Sequence, residues 1–283
     1  MHRIAVIGGG TMGAGIAEVC ARAGSRVVVV EAAPDVIERC RARIDTSLQR
    51  AVRADRITAA EAAAALSRID LATDLGAAAE ADLVIEAVPE VEELKLDLFR
   101  RLDALLGPDA ILASNTSSIP LVKMASVTGR PDRVVGVHFF NPAPVLPLVE
   151  IVASLLTSDD TLLAVTDFAE KRLGKTTIRS QDRAGFIVNA LLIPYLLSAI
   201  RMLESGFASA KDIDAGMVQG CAHPQGPLAL ADLIGLDTTA AVAQSMYEEF
   251  KEPLYAPPPL LLRMVDAGLL GRKTGRGFFP YPR

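Results

Sequence analysis

The stretch from Arg3 to Glu31 restricts the fold of this chain more than any other. An apolar run, Ile4-Ala5-Val6-Ile7, passes at once into Gly8-Gly9-Gly10-Thr11-Met12-Gly13, continues as an amphipathic segment to Ala23, and returns to an apolar run, Val27 to Val30, closed by Glu31. That order reads as strand, tight turn, helix, strand. The glycines fit G-x-G-x-x-G: Gly8 permits the turn, Gly10 lets the backbone approach a pyrophosphate, and Gly13 lets the helix pack close to the strand. The helix N-terminus, with Thr11 and Met12 in its first turn, then offers unpaired N–H groups and a positive dipole end to phosphates. An acid closing the second strand can accept hydrogen bonds from ribose hydroxyls and repel a 2′-phosphate. Ala32, Ala33 and Pro34 supply no cation for that phosphate, so the expected cofactor is NAD rather than NADP.

The rest of the chain bounds the answer further. At 283 residues there is room for one large or two modest domains. Hydrophobic residues make up 51%, charged ones 22%, and the net charge is -5, which describes a globular protein and gives no reason to expect nucleic acid as a partner. Cys20, Cys40 and Cys221 show no C-x-x-C spacing and read as small core residues of a reducing compartment. The apolar run before the glycines is too short for a signal peptide, so a cytoplasmic location is expected. The uncharged run Ala184 to Ile200 falls short of the ~20 apolar positions of a membrane span and carries Asn189, Pro194 and Ser198. A helix buried in a protein interface is expected there, and no membrane association.

Taken in order, Pro34 to Arg56 predicts a helix with arginines at 39, 41, 43, 50, 53 and 56, which as single charges read as a solvated face. Arg50 and Arg53, three residues apart, could together present cations to a phosphorylated ligand. A short helix over Ala59 to Leu66 follows. A strand at Leu83 to Glu86 leads to a helix from Val91 to Leu105, and a strand over Asp109 to Ser114 ends in Asn115-Thr116-Ser117-Ser118. Polar residues at the carboxyl end of a parallel strand are placed where ligands bind in such sheets; the plain alternative is a turn closed by hydroxyl side chains.

Val134 to Val137 runs as a strand into His138-Phe139-Phe140-Asn141-Pro142, and Leu148 to Val152 forms another. A lone histidine among aromatics is more often a satisfied core residue than a catalyst. Glu150, flanked by apolar residues in the neighbouring strand, changes that balance: a buried carboxylate is costly unless paired, and His138 is the partner at hand. A helix over Asp159 to Leu173 and a strand over Lys175 to Arg179 complete this part. From Gly185 the pattern is helical, at Gly185 to Glu204, Ser209 to Val218 with Ser209 as N-cap, Asp237 to Phe250 and Pro259 to Ala267. The runs Pro224-Gln225-Gly226-Pro227 and Pro257-Pro258-Pro259 punctuate them.

Together, Gly8 to Ala17, Val84-Ile85-Glu86-Ala87, Ala113 to Ser118, His138-Phe139-Phe140-Asn141-Pro142, Gly185-Phe186-Ile187-Val188-Asn189, Gly235-Leu236-Asp237 and Leu270 to Phe278 resemble the (S)-3-hydroxyacyl-CoA dehydrogenases, closest to the short bacterial 3-hydroxybutyryl-CoA members. The resemblance runs almost end to end. It implies a Rossmann-type α/β dinucleotide-binding domain, 1–183, followed by an all-α substrate and dimerisation domain, 184–283, with acyl-CoA entering between them. It implies NAD-dependent, reversible oxidation of a short-chain 3-hydroxyacyl-CoA to the 3-ketoacyl-CoA, the chemistry of fatty-acid β-oxidation, in a homodimer and without a metal.

Carried over by residue, the resemblance makes His138 the general base, oriented by Glu150. Ser117 and Asn189 hydrogen-bond the substrate's oxygens, and Asn141, Arg50 and Arg53 join the acyl-CoA contacts. Gly8, Gly10, Thr11, Met12, Gly13, Glu31, Glu90, Lys95 and Asn115 line the NAD site. Two positions depart from the family pattern: Ala190 stands where many relatives have arginine, and Gln225 where methionine is usual. Both bear on acyl chain length. The same chemistry on a carrier-protein thioester or a free hydroxy acid is the alternative, and a catalytically silent nucleotide-binding protein a third.

Overall fold

The computed structural model describes residues 1–282. Two compact units divide the chain, one over residues 1–183 and one from Ala184 onward.

The first unit follows from its apolar runs. β1 (Arg3–Ile7), β2 (Arg26–Val30), β3 (Ile69–Ala72), β4 (Leu83–Glu86), β5 (Ile111–Ser114), β6 (Val134–Phe139), β7 (Leu148–Ala153) and β8 (Thr176–Gln181) form one sheet in the order β3-β2-β1-β4-β5-β6-β7-β8. β1 to β6 are parallel, β7 pairs antiparallel with β6, and β8 runs parallel to β7. The first six strands have the doubly wound order whose direction reverses between β1 and β4, the crevice where such sheets bind ligands. Parallel strands covered on both faces read as continuous apolar runs, and β4, β5 and β6 are buried throughout. Between them lie α1 (Thr11–Arg22), α2 (Pro34–Arg53), α3 (Ala59–Leu66), α4 (Glu92–Leu105), α5 (Leu121–Ser126) and α6 (Asp159–Asp167). The core joins Ile4, Val6, Ile16, Val29, Ile44, Leu48, Ile85 and Val135 into one cluster.

The second unit holds α7 (Val188–Glu204), α8 (Ala210–Ala215), α9 (Pro227–Ile234), α10 (Leu236–Phe250) and α11 (Pro259–Asp266) around Leu196, Leu197, Ile200, Leu228, Leu236, Met246 and Leu261.

Several elements differ from the sequence expectation, each for a local reason. α7 begins at Val188 rather than Gly185, because Gly185 and Phe186 hold φ of +82° and +47°, a left-handed pair that no helix continues. The predicted helices ending at Leu173 and Val218 stop being α-helical at Asp167 and Ala215 and finish in single π-turns. α9 was hidden by its prolines: Pro227 occupies the first helical position, and the Asp214 carboxylate accepts from the backbone N–H groups of Leu228 and Ala229 at 2.8 and 2.9 Å. Gly226 leaves room for that carboxylate, since a Cβ there would stand 2.2 Å from it. Cys20 and Cys40 are core residues as expected, but Cys221 is exposed. Within the single chain α7 buries Leu196, Leu197 and Ile200 yet leaves Leu191 74% exposed. No helix among the described residues is long and apolar enough to cross a membrane.

Candidate active site

The carboxyl ends of β1, β2, β4, β5 and β6 share one edge of the sheet, because these strands are parallel neighbours. The chain's polar groups collect there. At the end of β1, Gly8 turns with φ +96°, and a Cβ at Gly13 would stand 1.7 Å from the Gly8 carbonyl oxygen, so only glycine lets α1 start this close to the strand. A Cβ on Gly10 would meet nothing within 4 Å, and no side chain caps α1, so its first N–H groups face open space. That space is a cavity of about 720 Å³ lined by Gly8, Gly10, Thr11, Met12, Glu31 and Val88 among others. It has the features that a dinucleotide requires: an uncapped helix N-terminus for the pyrophosphate and an acid for the ribose.

Glu31 sits immediately after β2, and its Oε1 accepts from the Gly9 backbone N–H at 2.5 Å. The carboxylate therefore fixes the glycine turn and faces the cavity at once. Burial, then the Glu31 charge, pushes the neighbouring Cys40 thiol up to about 11, so it stays neutral. One cation on the cavity wall escaped the sequence reading: Arg101, one helical turn beyond Asp97 and 3.6 Å from its carboxylate.

Between β4 and β5 lies a buried ionic cluster. Glu86 accepts from Lys95 Nζ at 2.9 and 3.0 Å, from Ser114 Oγ at 2.6 Å and from the Val88 backbone N–H at 2.7 Å. The same ammonium reaches Glu90 at 2.8 Å. Glu90 in turn accepts from the backbone N–H groups of Ser117 and Ser118, both at 3.2 Å, and from the hydroxyls of Ser118, at 2.8 Å, and Thr116. Burial raises the Glu86 carboxyl above its ordinary value against the pull of Lys95. Burial acts on Glu90 too, but Lys95 and the hydroxyl donors outweigh it and hold that carboxyl below its ordinary value. Lys95, expected to line the cofactor site, is 1% exposed and anchors Glu90, which shapes the turn carrying Ser117. The sequence signal for this was an acid ending an apolar strand, which needs a partner wherever it is buried. Asn115 is also partly committed, since its Oδ1 accepts from the Phe139 backbone N–H at 2.8 Å and ties the ends of β5 and β6 together.

In the β6–β7 ladder His138 stands directly opposite Glu150. His138 Nδ1 lies 2.7 Å from Glu150 Oε2, Glu150 is fully buried, and His138 is 7% exposed. With the carboxylate ionised, Nδ1 carries the donated proton and the lone pair of the neutral ring lies on Nε2. Phe140 packs edge-on against the imidazole, with ring centroids 4.7 Å apart.

Past the end of β6, Asn141 and Pro144 join Thr11, Ser47, Arg43 and Arg50 around a second cavity of about 430 Å³. Arg50 and Asn141 thus line one cavity, as a shared ligand would require. Arg53, three residues further along α2, does not line this cavity, and Arg43, seven residues before Arg50 and so on the same helical face, does. Asn189 belongs to the second unit, half-buried in the first turn of α7.

Residues 3–183 match the family model for the 3-hydroxyacyl-CoA dehydrogenase NAD binding domain, and residues 185–281 the model for that family's C-terminal domain. The chain belongs to the 3-hydroxyacyl-CoA dehydrogenase family. It is 55% identical over 282 residues to the 3-hydroxybutyryl-CoA dehydrogenase of Mycobacterium tuberculosis, covering 99% of each. It is 42% identical over 288 residues to the human mitochondrial hydroxyacyl-coenzyme A dehydrogenase, covering 99% of this chain and 91% of that one. The solved (S)-3-hydroxybutyryl-CoA dehydrogenase of Ralstonia eutropha superposes with a TM-score of 0.93 at 45% identity over 100% of both chains. As a member of this family the chain is an NAD-dependent oxidoreductase.

Proposed function

We propose that this dehydrogenase interconverts (S)-3-hydroxybutyryl-CoA and acetoacetyl-CoA. The observation that carries the reading is the buried His138–Glu150 pair at the same sheet edge as the glycine turn and the Ser117 turn. NAD, when bound, accepts the hydride from C3. His138 Nε2 takes the proton of the 3-hydroxyl, and Glu150 holds the ring and stabilises the imidazolium that forms. In the reductive direction the same imidazolium returns the proton. Ser117 and Asn189 hydrogen-bond the substrate's oxygens, while Arg50 and Asn141 meet the CoA portion; Arg53 is at most a more distant charge. The test is NADH consumption, followed by its near-ultraviolet absorbance, across a chain-length series of 3-ketoacyl-CoA substrates. Turnover should be fastest on acetoacetyl-CoA and far better with NADH than with NADPH; a correctly folded protein that oxidises no NADH would overturn the reading.

The second unit serves as the dimer interface in this proposal. Its support is the exposed apolar set Leu191, Met202 and Phe207, of which Leu191 and Phe207 are 74% and 80% exposed. Light scattering should give twice the chain mass, and Leu191→Glu should give a monomer. The three free thiols accord with a cytoplasmic site of action.

A further inference from the structure

Residues 140–147 join β6 to β7, and through Asn141, Pro142, Ala143 and Pro144 this loop forms one wall of the cavity that Ser47 and Arg50 line. Pro142, Pro144 and Pro147 leave it few means of holding its own shape, because proline has no backbone N–H to donate. Val145 and Leu146 both donate to the Pro142 carbonyl at 3.0 Å, which closes a single tight turn. The carbonyls of Ala143 and Leu146, each preceding a proline, need donors from outside the loop.

One side chain supplies both. Lys175, the residue before β8, donates through Nζ to the Ala143 and Leu146 carbonyls, each at 2.7 Å. The next residue, Thr176, donates its backbone N–H to the Pro147 carbonyl at 2.8 Å, so the end of the loop is tied to the same point. A further contact comes from α1, which closes on the loop at Gly15: a Cβ there would stand 3.1 Å from Pro144 Cδ and 3.3 Å from Ala143 Cβ. Lys175 itself does not line the cavity that Asn141 borders. Burial, then the Arg22 guanidinium, holds its ammonium below the ordinary range. A lysine that served only solubility has no reason to sit where its charged form is disfavoured; one that holds two carbonyls has.

We propose that Lys175 is a positioning residue of the dehydrogenase: by holding the Ala143 and Leu146 carbonyls it fixes the 140–147 loop against α1 and keeps Asn141 in place for the CoA portion of the substrate. The proposal rests on the acyl-CoA reading above. An ammonium carries three donors, so one side chain can meet two carbonyls, and its charge-assisted bonds are stronger than those between neutral groups.

The experiment compares the wild type with Lys175→Met, which keeps the apolar stem and removes the donors, and with Lys175→Arg, whose fork again reaches two acceptors. Steady-state reduction of acetoacetyl-CoA is measured beside calorimetric titration with NADH and hydrogen exchange of the 140–147 segment. Lys175→Met should raise the KM for acetoacetyl-CoA about tenfold, with kcat within about twofold of the wild type and NADH affinity unchanged. Exchange at Val145 and Leu146 should quicken, and Lys175→Arg should recover most of both effects. An unchanged KM overturns the proposal. So does a joint fall of kcat, NADH affinity and melting temperature, the pattern of a lysine that only supports the fold. Should Lys175→Met not fold, Lys175→Gln is read by the same criteria. If the wild type turns over no 3-ketoacyl-CoA, the functional reading fails by itself; exchange that quickens in Lys175→Met then supports the clamp, and exchange that does not overturns it.

Discussion

His138 illustrates how a partner changes the reading of a common side chain. Alone, an imidazole near aromatics would be core filling; opposite a fully buried carboxylate at 2.7 Å its ring is held in the orientation that the proposed general base needs. His138→Ala should lower kcat by ~10² or more while NAD binding, followed by calorimetric titration, persists. Unchanged turnover would remove the histidine from its role. Glu18 is a second residue whose environment makes a prediction. Burial raises its carboxyl above the ordinary value of 4.5, and its Oε2 has no hydrogen-bond partner. The folded state therefore favours the protonated acid, a contribution fully present below the unfolded value and lost as pH rises through the folded one. Glu18→Gln should accordingly raise the melting temperature at neutral pH, with the gain shrinking to nothing as the pH approaches 4.5. A melting difference independent of pH would contradict this account.

At the scale of elements, the Glu86–Lys95 pair binds β4, α4 and the turn after β5 into one piece. Lys95→Met strands a buried carboxylate and should cost about 3–5 kcal/mol in urea unfolding, and adding Glu86→Gln should recover much of it. Additive losses in the double variant would show that the pair does not act as a unit. This cluster also marks where the sequence ceased to be legible. Glycine spacing, apolar runs and the carboxylate of Glu31 follow local rules, so the turn, the helix and the strand order around them could be read directly. Lys95 could not: whether a lysine in the first turn of a helix faces solvent or an acid nine residues earlier depends on how that helix crosses the sheet. α9 was concealed likewise, because its N-terminus is capped by Asp214 from a different element. The pairing of His138 with Glu150 could be read from the sequence because they lie in sequence-adjacent strands, where pairing is nearly local.

For the whole molecule, the sheet assembles the candidate site from residues spread between Gly8 and His138 by bringing five strand ends to one edge, and the neighbouring β7 adds Glu150. The antiparallel junction of β6 with β7 adds something the parallel strands do not. Apart from the two end residues of β7, both strands are buried along both faces, so apolar packing by itself distinguishes poorly between the native pairing and one displaced by a residue. A one-residue displacement would turn Glu150 into the opposite apolar layer, a carboxylate with no imidazole to meet it, at a cost of several kcal/mol. The two residues assigned to proton transfer thus also proofread the assembly of the protein: a chain that closes its sheet in the wrong alignment is penalised before it ever meets a substrate.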